Sequence, residues 1–357
     1  MKRKGFAIDG RQLTGDMGGV QRYISEITAC LDEIAPPGLF EIVVPRGSHV
    51  EQTYRNIRVV ESGSLKGLLW EQLCFPAYLI KNHKWGIWLC TIVSMLYPRG
   101  IAAIHDVMPK KFPEFAKSMG NFFARSMLLL NYRIAAGADR VVTVSENSKR
   151  DIAEIYGTAP ERICVIGNAW QHMDRVKGDD SWMQRFGQVK KGEYYFSLSA
   201  NRIQKNFKWI CELAKRNKER LFLMAGTREE WQKNEEVNAE NILHLGYVSD
   251  GEIKSLMENC RAFLFPSLYE GFGIPPMEAL SCGARIVVAN TSCLPEIYGD
   301  SAYYIDPYDY DIDLDRLLEK EVAPASECLG RFSWEASARA LLQLCRELEK
   351  DQDIKEG

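Results

Sequence analysis

The chain has 357 residues, 46% of them hydrophobic and 26% charged, with a formal net charge of −3. That length exceeds what one compact core accommodates and implies two domains, and the acidic balance argues against broad adsorption to nucleic acid. Ten cysteines lie scattered with no Cys-x-x-Cys spacing. This suits neither a zinc site nor a dense disulfide framework and reads as reduced thiols in a core.

The basic start Met1-Lys2-Arg3-Lys4 runs into Gly5-Phe6-Ala7-Ile8-Asp9, too short for a secretory h-region, so a cytoplasmic placement is expected. Phe6-Ala7-Ile8 reads as a first strand. Gly18-Gly19 opens a helix with Val20, Ile24, Ile27, Leu31 and Ile34 on one face. Phe40–Val44, Ile101–Ile104 and Val141–Val144 continue the strands, and Trp85 to Tyr97 reads as buried strand and loop, short of a bilayer span. Ser145 is placed to cap a helix starting at Glu146. Ile163–Asn168 reads as the last strand of the first half.

From Asn168 to Lys191 the chain turns polar and loses its period, as a linker with one short helix would. A second series of apolar runs follows, at Tyr194–Leu198, Leu221–Ala225, Ala262–Phe265, Arg285–Ala289 and Ala302–Ile305. The final helical pattern places Trp334, Ala338, Leu341, Cys345 and Leu348 on one face, which needs a surface to dock against. Short apolar runs alternating with helical patterns specify parallel α/β architecture, in which ligands sit beyond the carboxyl ends of strands. The expected division is an N-terminal domain over 1–170, a C-terminal domain over 171–330, and a helix over 331–357 packing back on the N-terminal domain.

The segment Glu270-Gly271-Phe272-Gly273-Ile274-Pro275-Pro276-Met277-Glu278 carries the sharpest chemistry. Pro276 fits the first turn of a helix, and Gly271 and Gly273 let bare amides approach a ligand at that helix's N-terminus, where anions are favoured. The spacing puts Glu278 about two turns inside the helix and Glu270 before it, so the two carboxylates meet different parts of one ligand. Carboxylates accept hydrogen bonds from sugar hydroxyls.

The segment resembles the Glu-x7-Glu element of glycosyltransferase family 4, whose members have the GT-B fold of two Rossmann-like, doubly wound domains facing each other across a cleft. The resemblance reaches nearly the whole chain. Gly18-Gly19-Val20 looks like the family's N-terminal glycine loop, and His105-Asp106 like its His-Asp pair. Asn201-Arg202-Ile203-Gln204-Lys205-Asn206 resembles its diphosphate-binding loop. It implies retaining transfer from a nucleoside-diphosphate sugar, with no cofactor and no metal. Glu278 would bind the ribose and Glu270 the transferred sugar, with amides of Phe272, Gly273 and Ile274 at the sugar and phosphate. His105 would lie near the reacting face, and Val248 in the loop packing on the nucleobase.

Such a transfer gathers negative charge on the leaving diphosphate, so preorganised cations and N–H donors are needed there. Arg202 can hold two oxygens through its fork, Lys205 adds a compact charge, and Gly19 can offer an amide at a helix start. Losing Arg202 or Lys205 is expected to cost about 2–4 kcal/mol of transition-state stabilisation. Asp309, Asp311, Asp313 and Asp315 fail the EF-hand pattern, with Leu314 and Lys320 at its sixth and twelfth positions, and read as caps.

Lys110 to Arg133 mixes basic residues with Phe112, Phe115, Phe122 and Phe123, and reads either as a face for a lipid-linked glycan or an anionic membrane, or as a core helix with a wet basic side. The leading expectation is transfer of mannose, with rhamnose or glucose as alternatives, from GDP-mannose or a similar donor to a glycan or lipid-linked acceptor in surface polysaccharide synthesis. A nucleotide-sugar epimerase of the same fold and an inactive nucleotide-sugar-binding partner are the competing readings.

Overall fold

The structure is a computed structural model that describes residues 3–15, 18–114, 122–187, 189–198, 203–226 and 239–356. The chain divides into two compact units, Met1–Asn168 with Trp334–Gly357, and Ala169–Ser333.

Among its described residues the first unit has seven parallel strands: β1 Phe6–Asp9, β2 Phe40–Val44, β3 Arg58–Glu61, β4 Trp85–Trp88, β5 Gly100–Ala103, β6 Arg140–Thr143 and β7 Ile163–Val165. Their order is β3-β2-β1-β4-β5-β6-β7, so chain direction across the sheet reverses between β1 and β4. The inner strands are buried on both faces, which is why they read as unbroken apolar runs. β3 escapes sequence reading because it is an exposed edge strand whose Arg-Val-Val-Glu shows little apolar signal.

The glycine-led helix runs Gly19–Ile34 and buries Ile24, Ile27 and Leu31, while Val20 and Ile34 are half-buried. Ser145 caps the helix Glu146–Tyr156 by accepting from the Ser148 amide. The last helix, Trp334–Glu356, packs on Gly19–Ile34 within this unit and buries all five residues of its apolar stripe. Trp334 meets Tyr23 edge-on at 6.2 Å, Ser337 Oγ donates to Gly167 O at 2.7 Å, and Arg140 pairs with Asp351.

The second unit has six parallel strands among its described residues: β8 Tyr194–Leu198, β9 Leu221–Ala225, β10 Ile242–Gly246, β11 Ala262–Phe265, β12 Ile286–Ala289 and β13 Tyr303–Ile305. Their order is β10-β9-β8-β11-β12-β13, reversing between β8 and β11. β10 is a half-exposed edge strand that the apolar-run reading passes over.

The polar stretch after Asn168 holds two short helical turns rather than one, Gln171–Arg175 and Trp182–Arg185. It is anchored by tryptophans: Trp182 is fully buried and donates to Ser255 Oγ at 3.0 Å, and Trp170 donates to Leu329 O at 3.1 Å. Asp313 caps the helix Leu314–Leu318, and Asp315 takes ion pairs from Arg220 and Arg261. None of the ten cysteines is in a disulfide, and five of them are buried. No described helix is long and apolar enough to cross a membrane.

Candidate active site

The carboxyl ends of β8 and β11 lie side by side where the strand order reverses, the place where open parallel sheets bind ligands. Arg202 lies outside the described residues. Lys205 closes the short turn Ile203–Lys205 after β8, and its ammonium donates to Glu270 Oε1 at 2.7 Å. The same ammonium stands 4.8 Å from the centre of the Phe265 ring at the end of β11. Lys205 and Glu270, named separately in the sequence, are thus one ion pair.

The loops around the pair are tied to each other. Asn206 takes a left-handed conformation at φ 52°, and its side-chain Nδ2 donates to Pro266 O and Pro307 O. The Leu268 amide donates to Gln204 O at 2.7 Å. Glu270's own amide donates to Ser292 Oγ at 3.1 Å, and the Cys293 thiol donates to Glu270 O. Lys205 and Glu270 are both mostly buried, so their attraction is less screened than that of a surface pair.

Gly273 caps the helix Ile274–Ser281 at φ 85°, and a Cβ there would stand 2.8 Å from Leu294 Cδ2. Only glycine satisfies both demands. Tyr298 locks the turn by donating to Gly273 O. Gly271 is buried. The Phe272 ring is also buried, 5.3 Å from Phe332, so this residue can offer a ligand only its backbone. Ile274 begins the helix, whose first amides have no intrahelical partner by geometry.

Glu278 sits one turn inside this helix and not two, because the helix begins at Ile274 rather than nearer the first glycine. Its Oε1 lies 2.8 Å from Nε2 of His172, a residue only 1% exposed. Sequence reading missed His172, which lies in the stretch taken for a linker. The one available signal was the apolar and aromatic company of Trp170 and Met173 in a polar segment. Val248 is buried just after β10, ahead of a capping box in which Ser249 and Glu252 start the helix Asp250–Asn259.

In the first unit, Gly18 and Gly19 are exposed at the start of the Gly19–Ile34 helix, and the N-cap residue Gly18 has no side chain to cap its amides. His105 follows β5, its Nε2 is 2.9 Å from Leu89 O, and Tyr23 packs edge-on at 4.9 Å. Burial lowers its pKa, which keeps the imidazole neutral. Asp106 accepts from the Met108 amide at 2.8 Å and so caps the next turn. The helix Phe122–Ala136 buries Asn131, Tyr132, Ala135 and Ala136 but leaves Phe122, Phe123 and Leu130 exposed, so its first half is no core helix. Phe115 and Lys117 lie outside the described residues.

Residues 17–170 match the model described as Glycosyltransferase Family 4, and residues 179–326 match Glycosyl transferases group 1. The chain belongs to glycosyltransferase family 4. O-antigen chain mannosyltransferase B of Escherichia coli is 26% identical over 66% of this chain and 67% of its own length. The chain spans 34% of the length of the serotype-specific mannosyltransferase WbdA of Escherichia coli, at 24% identity.

Among solved structures, sucrose-phosphate synthase from Thermosynechococcus elongatus has a TM-score of 0.73 at 14% identity, covering 97% of this chain and 99% of that one. Anabaena HepE, solved in complex with UDP and glucose, has a TM-score of 0.67 at 16% identity, covering 96% and 98%. The fold is GT-B, built here from the seven-stranded and six-stranded parallel units. The protein is a glycosyltransferase.

Proposed function

We propose that the chain transfers a hexosyl or deoxyhexosyl group, mannose in the first instance, from a nucleoside-diphosphate sugar to a glycan or lipid-linked acceptor during surface polysaccharide synthesis. The observation that carries this reading is the Lys205–Glu270 pair at 2.7 Å, at the switch point of the second sheet and beside the Gly273 helix start. An ammonium and helix amides suit a diphosphate, and carboxylates suit sugar and ribose hydroxyls. In this reading the diphosphate competes for Lys205 and frees Glu270 for the sugar. Glu278 serves the ribose, with one oxygen held by His172 and the other open to a hydroxyl. Neutral His105 accepts from or donates to a hydroxyl without carrying charge.

Mannose is favoured because O-antigen chain mannosyltransferase B and the serotype-specific mannosyltransferase WbdA, to which the chain is similar, are both named for mannosyl transfer. Anabaena HepE, crystallised with UDP and glucose, is the reason to include uridine nucleotides among the donors tested. Retention of anomeric configuration and independence from metal extend the family resemblance to this chain. The exposed Phe122, Phe123 and Leu130 together with Arg125 and Arg133 support a peripheral contact with an anionic membrane.

The deciding experiment is a thermal-shift panel of GDP, UDP and dTDP sugars, followed by turnover of the stabilising donor with and without chelator. GDP-mannose should give the largest shift and an α-linked product by NMR. Donor isomerised without acceptor would replace this reading with the epimerase, and donor bound without turnover would replace it with the inactive partner. Failure to float with anionic liposomes at low salt would remove the membrane contact.

A further inference from the structure

Asp9 ends β1, and Glu71 lies on the π-helical turn Trp70–Cys74; both are buried. Arg11 stands between them. Its Nε donates to Glu71 Oε1 at 2.7 Å, and its backbone amide donates to Asp9 Oδ1 at 3.0 Å. That leaves Asp9 Oδ2 and Glu71 Oε2, both shut off from solvent and neither with a donor among the described residues. Two buried carboxylates in contact with a single arginine do not both stay ionised. One proton between Oδ2 and Oε2 satisfies both orphaned atoms and makes the trio neutral: a carboxylate, a carboxylic acid and a guanidinium.

The backbone makes this closeness possible at Gly10, where a Cβ would stand 2.5 Å from Ile42 Cγ2 and 2.7 Å from Val44 Cγ1. Arg11 opens the 3-10 turn Arg11–Thr14. Gln12 of that turn accepts from Gln21 Nε2 at 3.0 Å, in the first turn of the helix that Gly18 and Gly19 begin. Two side-chain hydrogen bonds and the backbone between them therefore link Glu71 to the first turn of the helix that the glycine pair begins.

We propose that Asp9 and Glu71 share a single proton that holds Arg11 and, through the Arg11–Thr14 turn, keeps Gly18 and Gly19 in place for transfer. The three are positioning residues, and their link to transfer rests on the glycine pair serving the donor as read above. Burial pushes both carboxyls up, and their mutual repulsion carries Glu71 to about 8. Among the described residues Cys90 also faces the trio, and burial raises its thiol so that it stays protonated. Loss of the shared proton sets two negative charges against one guanidinium and divides Arg11's hold.

The folded state keeps a proton that the unfolded chain releases above its ordinary glutamate value of 4.5, so this contribution to stability is full below 4.5 and is lost as pH rises through about 8. Glu71→Gln preserves the geometry: its amide oxygen accepts from Arg11 and its amide nitrogen donates to Asp9, with no proton to lose.

Infrared spectra of the unliganded chain should show a protonated carboxyl band near about pH 6.5 that fades by about pH 9.5 and is missing in Glu71→Gln. With the donor found by the ligand panel, kcat/KM of the native chain should fall about tenfold over that range, stay level in Glu71→Gln, and be low throughout in Glu71→Ala. An identical carboxyl band in native and Glu71→Gln chains overturns the shared proton. An alkaline limb that coincides in the two overturns the link to the glycine pair. If no donor turns over, the transfer reading fails, and the infrared arm still decides the proton.

Discussion

Glu270 and Glu278 each meet a nitrogen that belongs to another part of the chain, Lys205 for the first and His172 for the second. A carboxylate held through one oxygen keeps its rotamer and presents the other, which is what a hydroxyl-binding site requires. His172→Ala should therefore raise the donor KM about tenfold while kcat changes by no more than about twofold, because an orienting bond to a binding residue acts before the chemical step. Steady-state kinetics on the identified donor would check this, and a fall in kcat at unchanged KM would place Glu278 in the chemistry instead. Glu270→Ala should retain the native fold and lose transfer by roughly 100-fold or more, read by circular dichroism and product assay together. Glu270 and Glu278 stand out in a glycine- and proline-rich helix entry, and Lys205 in a string that resembles the family's diphosphate loop. His172 was not, because a single histidine in an aperiodic stretch gives no sign of which carboxylate folds against it.

The elements succeed or fail on local rules that can be perturbed one at a time. The helix Ile274–Ser281 starts from Gly273 at φ 85°, with Leu294 Cδ2 where a side chain would need to go. Gly273→Ala should cost about 2 kcal/mol or more through left-handed strain and the clash, and should weaken nucleotide binding because the first amides of the helix would turn away. Urea unfolding and a thermal shift with the donor nucleotide measure the two effects separately. Ser145→Ala removes the cap on Glu146–Tyr156 and should cost about 1 kcal/mol with no change in donor affinity, so it serves as the control. The central strands were legible because burial on both faces demands unbroken apolar runs. β3 and β10 were not, since these two edge strands carry solvated or half-exposed residues such as Arg58, Glu61 and His244, whereas the edges β7 and β13 keep readable apolar runs.

At the scale of the whole molecule, the helix Trp334–Glu356 belongs with the first unit although more than 160 residues of sequence intervene, as the Ser337–Gly167 bond spanning 170 positions illustrates. Trp334 is 2% exposed and packs against Tyr23, so Trp334→Ala should lower the stability of that unit by about 3–5 kcal/mol, seen as an earlier thermal transition. An unchanged melting curve would mean that the helix docks without contributing to the core. Periodicity and the order of apolar runs determined the α/β class and most strands, because these depend on contacts within a few positions or on residue type alone, and the glycine and glutamate strings carried the family resemblance that names the candidate donor residues. Tertiary structure alone decided that Lys205 neutralises Glu270, that a residue from the apparent linker holds Glu278, and that Asp9 and Glu71 crowd one arginine. Each of those pairings joins residues 60 or more positions apart, 65 for Lys205 and Glu270, 106 for His172 and Glu278, and 60 for Arg11 and Glu71. No local rule connects positions so distant. The packing of turns and helix starts around each sheet does.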